Sequence, residues 1–437
     1  MKIIQRCKKV FEKELVKKIR AAFPRAEKDL NGRKRAFFDN GTGTLVLERA
    51  SKAEVKARVD CSANIGADFD ESIKAMETIK AGREAVAEFL NAPSGDTIIS
   101  GESATKLLFD VSYAIGKECN GTENVVITEL EHYANVSPWN ELVREGKIKE
   151  VRFACMNLED GTLDFEHLQE LIDSDTKVVS VTAASNVTGT KIPLEQVSKI
   201  VRNTQAYFVV DAVHHVPHGP IDVQKIDCDF LVFSGYKIFG SHGSFMYMNP
   251  EHMENLKPYK VKPSANTGPF KWESGTRNQA MFASIKGVLD HFLWLAEYVK
   301  SHYEGKFMEY SGRRRDYKIA LSATQLNEKG LSKAVLDGID DAPGLLSMPK
   351  VKIFGIKDSN RIDERDPTFA FIVDGVPNQD VIKYLWEKGA IATRAENFYS
   401  YALEVFNQLK VNRISLVQYN TIEEVKRFLE TMNVICK

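Results

Sequence analysis

The sequence lacks the features that define several large classes of protein. Its 437 residues hold no apolar run near the roughly 20 residues that a membrane-crossing helix needs. Lysine and arginine (59 residues) nearly balance aspartate and glutamate (60 residues), so no positive excess indicates nucleic-acid binding. The six cysteines lie far apart, without the C-x-x-C spacing of a zinc site. We therefore expect a soluble protein that binds neither a membrane nor a nucleic acid.

Nucleotide-binding and hydrolase signatures are also missing. No G-x-G-x-x-G follows a strand-like segment, and neither G-x-x-x-x-G-K-[ST] nor G-x-S-x-G occurs. The amino-terminal stretch lacks the apolar segment of a secretory signal. Because widely separated cysteines suit a reducing compartment, the expected location is the cytoplasm.

Short, almost wholly apolar segments alternate with helix-like segments in the first part of the chain. The segments that we predict to be strands are TIIS (97–100), NVVIT (124–128), VRF (151–153), KVVSVT (177–182), AYFVV (206–210), DFLVF (229–233) and SFMYM (244–248). Strands of this composition are typical of a mostly parallel sheet that is buried on both faces. The pattern therefore predicts an α/β fold of the doubly wound kind.

The pattern changes after about residue 280, where long helix-like stretches precede a smaller α+β unit. This unit includes the predicted strands AIATR (390–394) and RISLV (413–417), and a lone amphipathic helix is predicted near the amino terminus, over residues 4–22. A chain of this length is expected to form two or three domains. We predict an amino-terminal helical segment (1–35) that packs with the smaller unit, a large domain (36–281) and a small carboxyl-terminal domain (282–437).

Polar residues just past the strand ends form the candidate site, because ligands bind at the carboxyl edge of such sheets. Lys237 follows DFLVF, where burial would lower its pKa, as an imine-forming amine requires. A strand-end lysine that reaches water is the alternative. Asp211 follows AYFVV and could pair with a pyridinium nitrogen, or could simply cap a helix or turn.

Further segments fit the same edge. Residues 101–105 join a strand to a helix, where backbone N–H groups could hold a phosphate, although Ser103 could equally be only a helix cap. His132 could stack on a flat cofactor and move protons, or could be a hydrogen-bonded loop histidine. Three histidines lie between residues 214 and 218, but no metal-ligand motif accompanies them, so we predict no metal site.

Seven longer segments occur in a fixed order along the chain. They are FFDNGTGT (37–44), EHYANVSPW (131–139), SNVTGT (185–190), VVDAVHHVPH (209–218), IDCDFLVFSGYKIFGSHG (226–243), ESGTRN (273–278) and RISLVQYNTIEEV (413–425). Together they resemble the class V aminotransferase family of pyridoxal-phosphate enzymes, and most closely its cysteine desulfurase-like branch. The resemblance implies fold type I, with a mostly parallel seven-stranded sheet in a large domain that binds pyridoxal 5′-phosphate, and a smaller α+β domain.

The resemblance implies how the cofactor ring is held. Lys237 matches the lysine that forms a Schiff base with the cofactor and later acts as a base, and Asp211 matches the partner of the pyridine nitrogen. His132 matches the histidine that stacks on the ring. Asn186 matches the asparagine near the cofactor 3-hydroxyl and the substrate carboxylate, and His214 stands where the family has a residue that touches that hydroxyl.

The resemblance also implies the phosphate contacts and a shared site. Ala104, Thr105 and Ser234 match residues that contact the phosphate, and Tyr236 replaces the commoner histidine before the lysine. Thr276 matches the residue that reaches the phosphate across a dimer interface. We therefore expect a homodimer, and two-fold dimers are the commonest soluble assembly.

The substrate end of the site departs from the desulfurase pattern. Arg413 matches the arginine that binds the substrate carboxylate, a role suited to a bidentate guanidinium, and Asn40 and Arg394 are further candidate substrate contacts. True desulfurases carry a nucleophilic cysteine in an R-x-G-H-H-C stretch, where this chain reads RAENFY (394–399). Tyr399 stands in the place of the cysteine, where it could line the pocket, act as an acid or simply pack. A persulfide relay is therefore not expected.

Three functional hypotheses follow. The first is a lyase-type elimination or substitution at the β- or γ-carbon of a small L-amino acid. The second is an aminotransferase or an epimerase on the same scaffold, because the same lysine, aspartate, histidine and arginine would serve all of these reactions. The third is a non-catalytic scaffold protein that kept the fold, which the intact set of site residues disfavours.

Overall fold

A seven-stranded sheet forms the centre of the computed structural model, which describes residues 10–437. Its strand order is β2-β8-β7-β6-β5-β3-β4, and only β8 runs antiparallel to its neighbours. The strands are β2 (Ile98–Gly101), β3 (Asn124–Thr128), β4 (Glu150–Ala154), β5 (Thr176–Thr182), β6 (Tyr207–Asp211), β7 (Phe230–Ser234) and β8 (Ser244–Met248). All seven predicted strands are present, with ends within one residue of the prediction, and the predicted fold class is confirmed.

Both faces of this sheet are buried, which explains why its strands are apolar throughout. Side chains alternate between the faces, so Phe208 and Val210 enter one core while Val209 enters the other. Helices cover both faces. Those that precede residue 300 are α1 (Lys13–Ala21), α2 (Glu48–Asp60), α3 (Asp70–Leu90), α4 (Ala104–Gly116), α5 (Ser137–Arg144), α6 (Phe165–Leu171), α7 (Leu194–Val201), α8 (Val223–Ile226), α9 (Pro250–Asn255) and α10 (Gln279–Val299).

The sequence pattern did not predict helix α2. Only Ala50 and Ala57 are buried among its 13 residues, so it has no apolar stripe of large side chains. It packs instead by close backbone approach to α10, where a Cβ on Gly287 would lie 3.0 Å from the Ala50 Cα. Small residues permit this contact without producing the periodicity that marks an amphipathic helix.

A smaller antiparallel sheet has the order β11-β12-β15-β14. Its strands are β11 (Val351–Phe354), β12 (Thr368–Val373), β14 (Arg394–Glu396) and β15 (Val411–Ser415). Three helices accompany it, namely α11 (Gly312–Asp337), α12 (Asn378–Gly389) and α14 (Ile422–Ile435), and α13 (Tyr401–Val405) is a single short turn. Two further pairs are β1 (Ala36–Phe37) with β13 (Ile391–Ala392) and β9 (Gly338–Ile339) with β10 (Ala342–Pro343).

Two strand predictions in this part need correction. The segment AIATR (390–394) is not one strand, because residues 391–392 pair with β1 while Arg394 begins a different strand that pairs with β15. The segment RISLV (413–417) starts and ends two residues late, because Val417 already belongs to a turn in which its N–H donates to Asn420 Oδ1 at 2.9 Å.

The amino-terminal segment contacts both parts of the molecule. The predicted helix over residues 4–22 begins outside the described residues, and its described part is α1. Phe23 packs against Phe239 and Tyr419, and the Arg20 guanidinium donates to the Tyr419 carbonyl at 2.6 Å. The domain limits stay a prediction, and α10 runs across the limit at residue 282.

Glu273 is a buried carboxylate that ties the segment after α9 to the central sheet. It accepts from Arg83 at 2.5 Å, from the Ser100 N–H and hydroxyl at 2.7 and 2.6 Å, and from Arg277 at 3.2 Å. Replacing it would leave the equally buried Arg83 without its counter-ion.

We predict that Glu273→Ala lowers the stability of the fold by about 3–5 kcal/mol, the cost of removing one partner from a buried ion pair. Thermal and denaturant unfolding of purified protein would measure the change. Glu430→Ala, which removes an exposed carboxylate of α14, is the matched control and should stay within about 0.5 kcal/mol of the unchanged chain. Equal unfolding midpoints for the two variants would contradict this account of Glu273.

Candidate active site

A cavity of about 390 Å³ opens at the carboxyl edge of the central sheet. Strands β3, β5, β6 and β7 are parallel neighbours, so the residues that follow them meet at this edge. The other wall comes from the loop 41–42 and from residues 394–413 of the smaller sheet. Predicted site residues that line it are Ala104, Thr105, His132, Asn186, Asp211, His214, Ser234, Tyr236, Lys237, Arg394, Tyr399 and Arg413.

Lys237 lies in a short turn that follows β7, and its amine points into the cavity. Its Nζ donates to the carbonyl oxygens of Gly41 and Thr42, the second at 2.9 Å. Burial, with a smaller effect of the nearby Arg413 cation, lowers the pKa of Lys237 to about 7. A substantial fraction of this amine is therefore neutral and nucleophilic near neutral pH.

Asp211 is the last residue of β6 and lies at the buried end of the cavity. Its Oδ1 accepts from the Val213 N–H at 2.9 Å. Burial raises the pKa of Asp211 to about 6, because the carboxylate has lost water and no cation replaces it at close range. A protonated ring nitrogen placed beside it would supply that charge.

His132 presents a neutral ring to the cavity. Its Nδ1 accepts from the Ala134 N–H at 3.0 Å, which leaves the hydrogen on Nε2. Burial, followed by the charges of Lys237 and Arg413, lowers the pKa of His132 to about 4. An uncharged imidazole fixed by its own backbone can stack on a flat ring without adding a third cation.

Glu131 follows β3 together with His132, as the strand-end rule predicts, and it fixes the position of His132, a role that the sequence did not indicate. Its carboxylate accepts from Thr128 Oγ1 at 2.5 Å, from the Thr182 N–H at 2.9 Å and from Asn135 Nδ2 at 2.8 Å. Burial raises the pKa of Glu131 to about 8 in spite of these donors. The network joins the ends of β3 and β5 beneath the cavity floor.

The residues that the sequence predicts to contact the cofactor phosphate lie at the start of helix α4. Ser103 caps this helix, because its hydroxyl accepts from the Lys106 N–H at 3.1 Å, and Ala104 and Thr105 occupy the first turn. Ser234 lies across from them, with its hydroxyl 2.8 Å from that of Ser244. The positive end of a helix beside hydroxyl groups is suited to a phosphate.

Tyr236 and Thr276 both belong to the predicted phosphate end of the site, but only Tyr236 lines the cavity of its own chain. The Tyr236 ring lines the cavity and stacks on His242 with 4.9 Å between ring centroids. Thr276 is exposed and lies outside the cavity of its own chain. Its role across a dimer interface therefore stays a prediction.

Arg413 forms the opposite wall, with only 1% of its side chain exposed. It donates to the Asn186 carbonyl at 2.9 Å and to Thr42 Oγ1 at 2.6 Å, and it lies 3.7 Å above the Phe398 ring. Burial lowers its pKa to about 10, so it stays a cation at neutral pH. Its Nε and the Asn186 Oδ1 are buried and have no hydrogen-bond partner among residues 10–437. Both can bind a ligand.

Asn40 does not occupy the position that the sequence analysis gave it. Its amide is buried outside the cavity lining and donates to the Ser415 carbonyl at 2.7 Å, while Tyr419 donates its hydroxyl to the Asn40 oxygen. Both polar atoms of its side chain are engaged by the protein, and a direct substrate contact at Asn40 stays a prediction. Asn40 anchors the loop whose next residue, Gly41, approaches Arg413 so closely that a Cβ would lie 2.9 Å from the guanidinium carbon.

The three clustered histidines belong to a buried polar network. His214 Nε2 lies 3.0 Å from Thr368 Oγ1, and burial holds the pKa of His214 well below its usual value. His215 pairs with Asp366 at 2.8 Å and His218 with Glu328 at 2.9 Å. Polar atoms of His214, His218 and Asp366 lie within 4.8 Å of one another, yet each side chain already has a protein partner. The prediction of no metal site therefore stays a prediction.

The loop that carries Tyr399 has a constrained backbone. Phe398 and Tyr399 both have positive φ angles, of 53° and 50°, which non-glycine residues rarely adopt. The Tyr399 side chain is 65% exposed at the mouth of the cavity. Among residues 10–437, no cysteine lines this cavity.

Comparisons with known proteins agree with this geometry. The family model described as Aminotransferase class-V matches residues 36–311. A cysteine desulfurase of Enterobacter sp. (strain 638) is 28% identical over 430 residues, which cover 95% of this chain and 96% of that protein. A cysteine desulfurase of Pectobacterium atrosepticum is 30% identical over 314 residues, which cover 68% of this chain and 76% of that protein.

Solved structures show the same fold. The apo structure of a cysteine desulfurase from Thermococcus onnurineus NA1 superposes with a TM-score of 0.79 at 22% identity, and covers 92% of this chain and 94% of that one. A cysteine desulfurase from Escherichia coli, in an S-sulfonic acid form, gives a TM-score of 0.77 at 23% identity over 96% of this chain and 98% of that one.

The residues at the cavity fit pyridoxal phosphate. Lys237 supplies a partly neutral amine, Asp211 an uncompensated carboxylate, and Asn186 an amide oxygen without a protein partner. None of the helices described between residues 10 and 437 has the length and apolar character to span a bilayer. The chain belongs to the class-V aminotransferase family and is a pyridoxal-phosphate-dependent enzyme.

Proposed function

We propose that the enzyme catalyses a lyase-type elimination or substitution at the β- or γ-carbon of a small L-amino acid. The observation that carries the proposal is the pairing of a partly neutral Lys237 with a buried Arg413 across a cavity that no described cysteine lines. For chemistry at the α-carbon, Lys237 supplies a base and Arg413 supplies a group that binds the substrate carboxylate. The missing thiol argues against sulfur transfer as the outcome.

Arg413 binds the substrate carboxylate in this proposal. Its guanidinium is held on one side by the Asn186 carbonyl and Thr42 Oγ1, and its unpartnered Nε is available for a carboxylate oxygen. A carboxylate bound to a desolvated guanidinium is fixed in orientation as well as in place. The α-carbon is thereby turned toward the side of the cavity that carries Lys237.

Lys237 moves the proton. When bound, pyridoxal phosphate supplies an electron sink that stabilises negative charge at the α-carbon of its substrate. The Lys237 amine would take the α-proton from the substrate and deliver it to the leaving group. The carbonyls of Gly41 and Thr42 orient this amine, and the depressed pKa of Lys237 suits a base that works near neutral pH.

Asp211 and His132 set the cofactor for this chemistry. Asp211 would keep the ring nitrogen of the cofactor protonated, which would strengthen the electron sink, and His132 would hold the ring by stacking. Tyr399 lies at the mouth, 6.0 Å from the His132 ring between centroids, where it lines the pocket or supplies a proton to a leaving group.

A homodimer is part of the proposal. Thr276 is exposed and would reach a phosphate only in a second subunit. The exposed apolar side chains of Val55 and Val59 on α2, and of Phe69 just before α3, support a subunit interface nearby. We also propose a cytoplasmic location, which the unpaired cysteines of the described chain support.

Reaction class is tested by product analysis. We expect that a panel of L-amino acids mixed with the cofactor-loaded enzyme gives elimination or substitution products by mass spectrometry, while the cofactor is not converted to its amine form. Lys237→Ala should abolish turnover, and Lys225→Ala, at an exposed ion pair, should not. Stoichiometric conversion to the amine form with a keto acid would instead indicate an aminotransferase, and inversion at the α-carbon would indicate an epimerase.

Thiol chemistry is tested by alkylation. Because no described cysteine lines the cavity, we expect iodoacetamide treatment of the loaded enzyme to leave amino-acid turnover unchanged. We also expect no enzyme-bound persulfide after incubation with L-cysteine, as judged by mass spectrometry of the intact chain. Loss of turnover on alkylation, or a mass gain of one sulfur, would contradict the proposed absence of a relay.

The lowered pKa of Lys237 is tested by the pH dependence of the rate at which cofactor-free enzyme binds pyridoxal phosphate. Only the neutral amine attacks an aldehyde, and burial beside Arg413 lowers the pKa of Lys237 to about 7. We expect the rate at which cofactor-free enzyme gains the visible band of bound pyridoxal phosphate to rise about tenfold between about pH 6 and about pH 8, then to level off. A rate that keeps rising tenfold per unit through about pH 9 would mean a lysine with an ordinary pKa.

A further inference from the structure

Glu396 places a carboxylate at the mouth of the cavity. It ends strand β14, whose residues Arg394 and Glu396 lie on one face because side chains alternate along a strand. Arg394 pairs directly with Arg413 across the sheet, so all three charged side chains share that face. Both Arg394 and Glu396 line the cavity, with 47% and 34% of their side chains exposed.

The charges at the mouth do not balance once a substrate is bound. Asp39 accepts from Arg394 Nε at 3.2 Å and from Thr42 Oγ1 at 2.7 Å, and lies 3.8 Å from Arg413. Arg413 is neutralised by the substrate carboxylate, and Arg394 by Asp39. Among residues 10–437, the ion-pair contact of Glu396 is with Arg394 Nη1 at 3.7 Å, which is too long for a hydrogen bond. Glu396 is thus the carboxylate at the mouth whose nearest described cation lies beyond hydrogen-bond distance.

This carboxylate is a feature of this chain rather than of the desulfurase stretch. Where R-x-G-H-H-C has glycine, which offers no side chain, this chain has Glu396. The same stretch has exchanged its thiol for Tyr399, so both changes fall on the part of the site that meets a substrate side chain. The Arg413 and Lys237 end, which meets the groups common to all amino acids, is unchanged.

We propose that Glu396 selects an L-amino acid whose side chain ends in a cation. The inference rests on the proposed function, in which Arg413 holds the α-carboxylate and so directs the side chain toward the mouth. An acidic side chain would have to displace Asp39 from Arg394 and would meet Glu396 with like charge. A cationic amine on the substrate side chain would give Glu396 a close cationic partner, which it lacks among the described residues.

The test measures binding rather than turnover. Affinity is read from the change in the visible spectrum of cofactor-loaded enzyme as each amino acid is added. The panel pairs each cation with its uncharged isostere, L-2,4-diaminobutyrate with L-norvaline and L-ornithine with L-norleucine, and includes L-glutamate. The variants are Glu396→Gln and the exposed control Glu430→Gln.

We expect the unchanged enzyme to bind at least one cation about tenfold more tightly than its isostere, as for a hydrogen bond between charged groups. Glu396→Gln should remove this preference without changing the affinity for the isostere, and Glu430→Gln should keep it. Added salt should weaken binding of the cation more than that of the isostere, a measurement that needs no variant.

Two results would overturn the inference. Equal affinity for cations and isosteres, or tighter binding of L-glutamate, would mean that Glu396 does not select the side chain. Equal losses for every amino acid in Glu396→Gln would mean that Glu396 acts only on the shape of the site. If no amino acid changes the spectrum of the loaded enzyme, the proposed function itself fails, which separates that failure from a failure of the selectivity.

Discussion

Two cationic side chains, Lys237 and Arg413, share one poorly hydrated cavity, and the rest of the site depends on how that repulsion is resolved. Burial disfavours both charges, but lysine starts from the lower pKa and loses its proton first, at about 7, whereas Arg413 remains charged to about 10. One shared environment thus yields a nucleophilic amine and a permanent anion-binding group. His132 is neutral mainly because it is buried, and repulsion by the charges of Lys237 and Arg413 lowers its pKa further.

The loop from Asp39 to Thr42 makes this arrangement possible. Its carbonyls accept from Lys237, Thr42 Oγ1 accepts from Arg413, and the Asp39 carboxylate lies between Arg394 and Arg413, which face each other across the strand pair. Like charges directly opposite in a sheet are destabilising, so an acidic residue between them is needed. Asn40 holds the opposite side of this loop through Ser415 and Tyr419. Together with the bond between Thr42 and Arg413, these hydrogen bonds restrict the loop to one geometry.

The sequence was sufficient for features that depend on local pattern. Strands buried on both faces are continuous apolar runs, so β3 and β8 could be predicted to the residue. The polar residues after the parallel strands could be assigned to one edge of the sheet. Helix α2 could not be predicted, because it packs through alanine and glycine, which produce no periodic pattern of large apolar residues in the sequence. The roles of Asp39, Glu131 and Glu396 could not be predicted for a different reason. Their surroundings in the chain are ordinary, and their roles arise only when Arg394 is paired with Arg413 or when β3 lies beside β5.

The loop 397–401 shows how such a scaffold can change its chemistry at one place. Left-handed backbone at Phe398 and Tyr399 costs about 1–2 kcal/mol per residue, and contacts to the cavity floor offset that cost. The Tyr133 N–H donates to the Tyr399 carbonyl at 2.8 Å, and Asn186 Nδ2 donates to the Phe398 carbonyl at 2.9 Å. The segment that carries Tyr399 is therefore bound to the backbone beside His132 and to the side chain of Asn186, both of which line the cavity. Side chains of this loop can be exchanged while the positions of Lys237 and Arg413 are preserved, and one scaffold can in this way host different reactions.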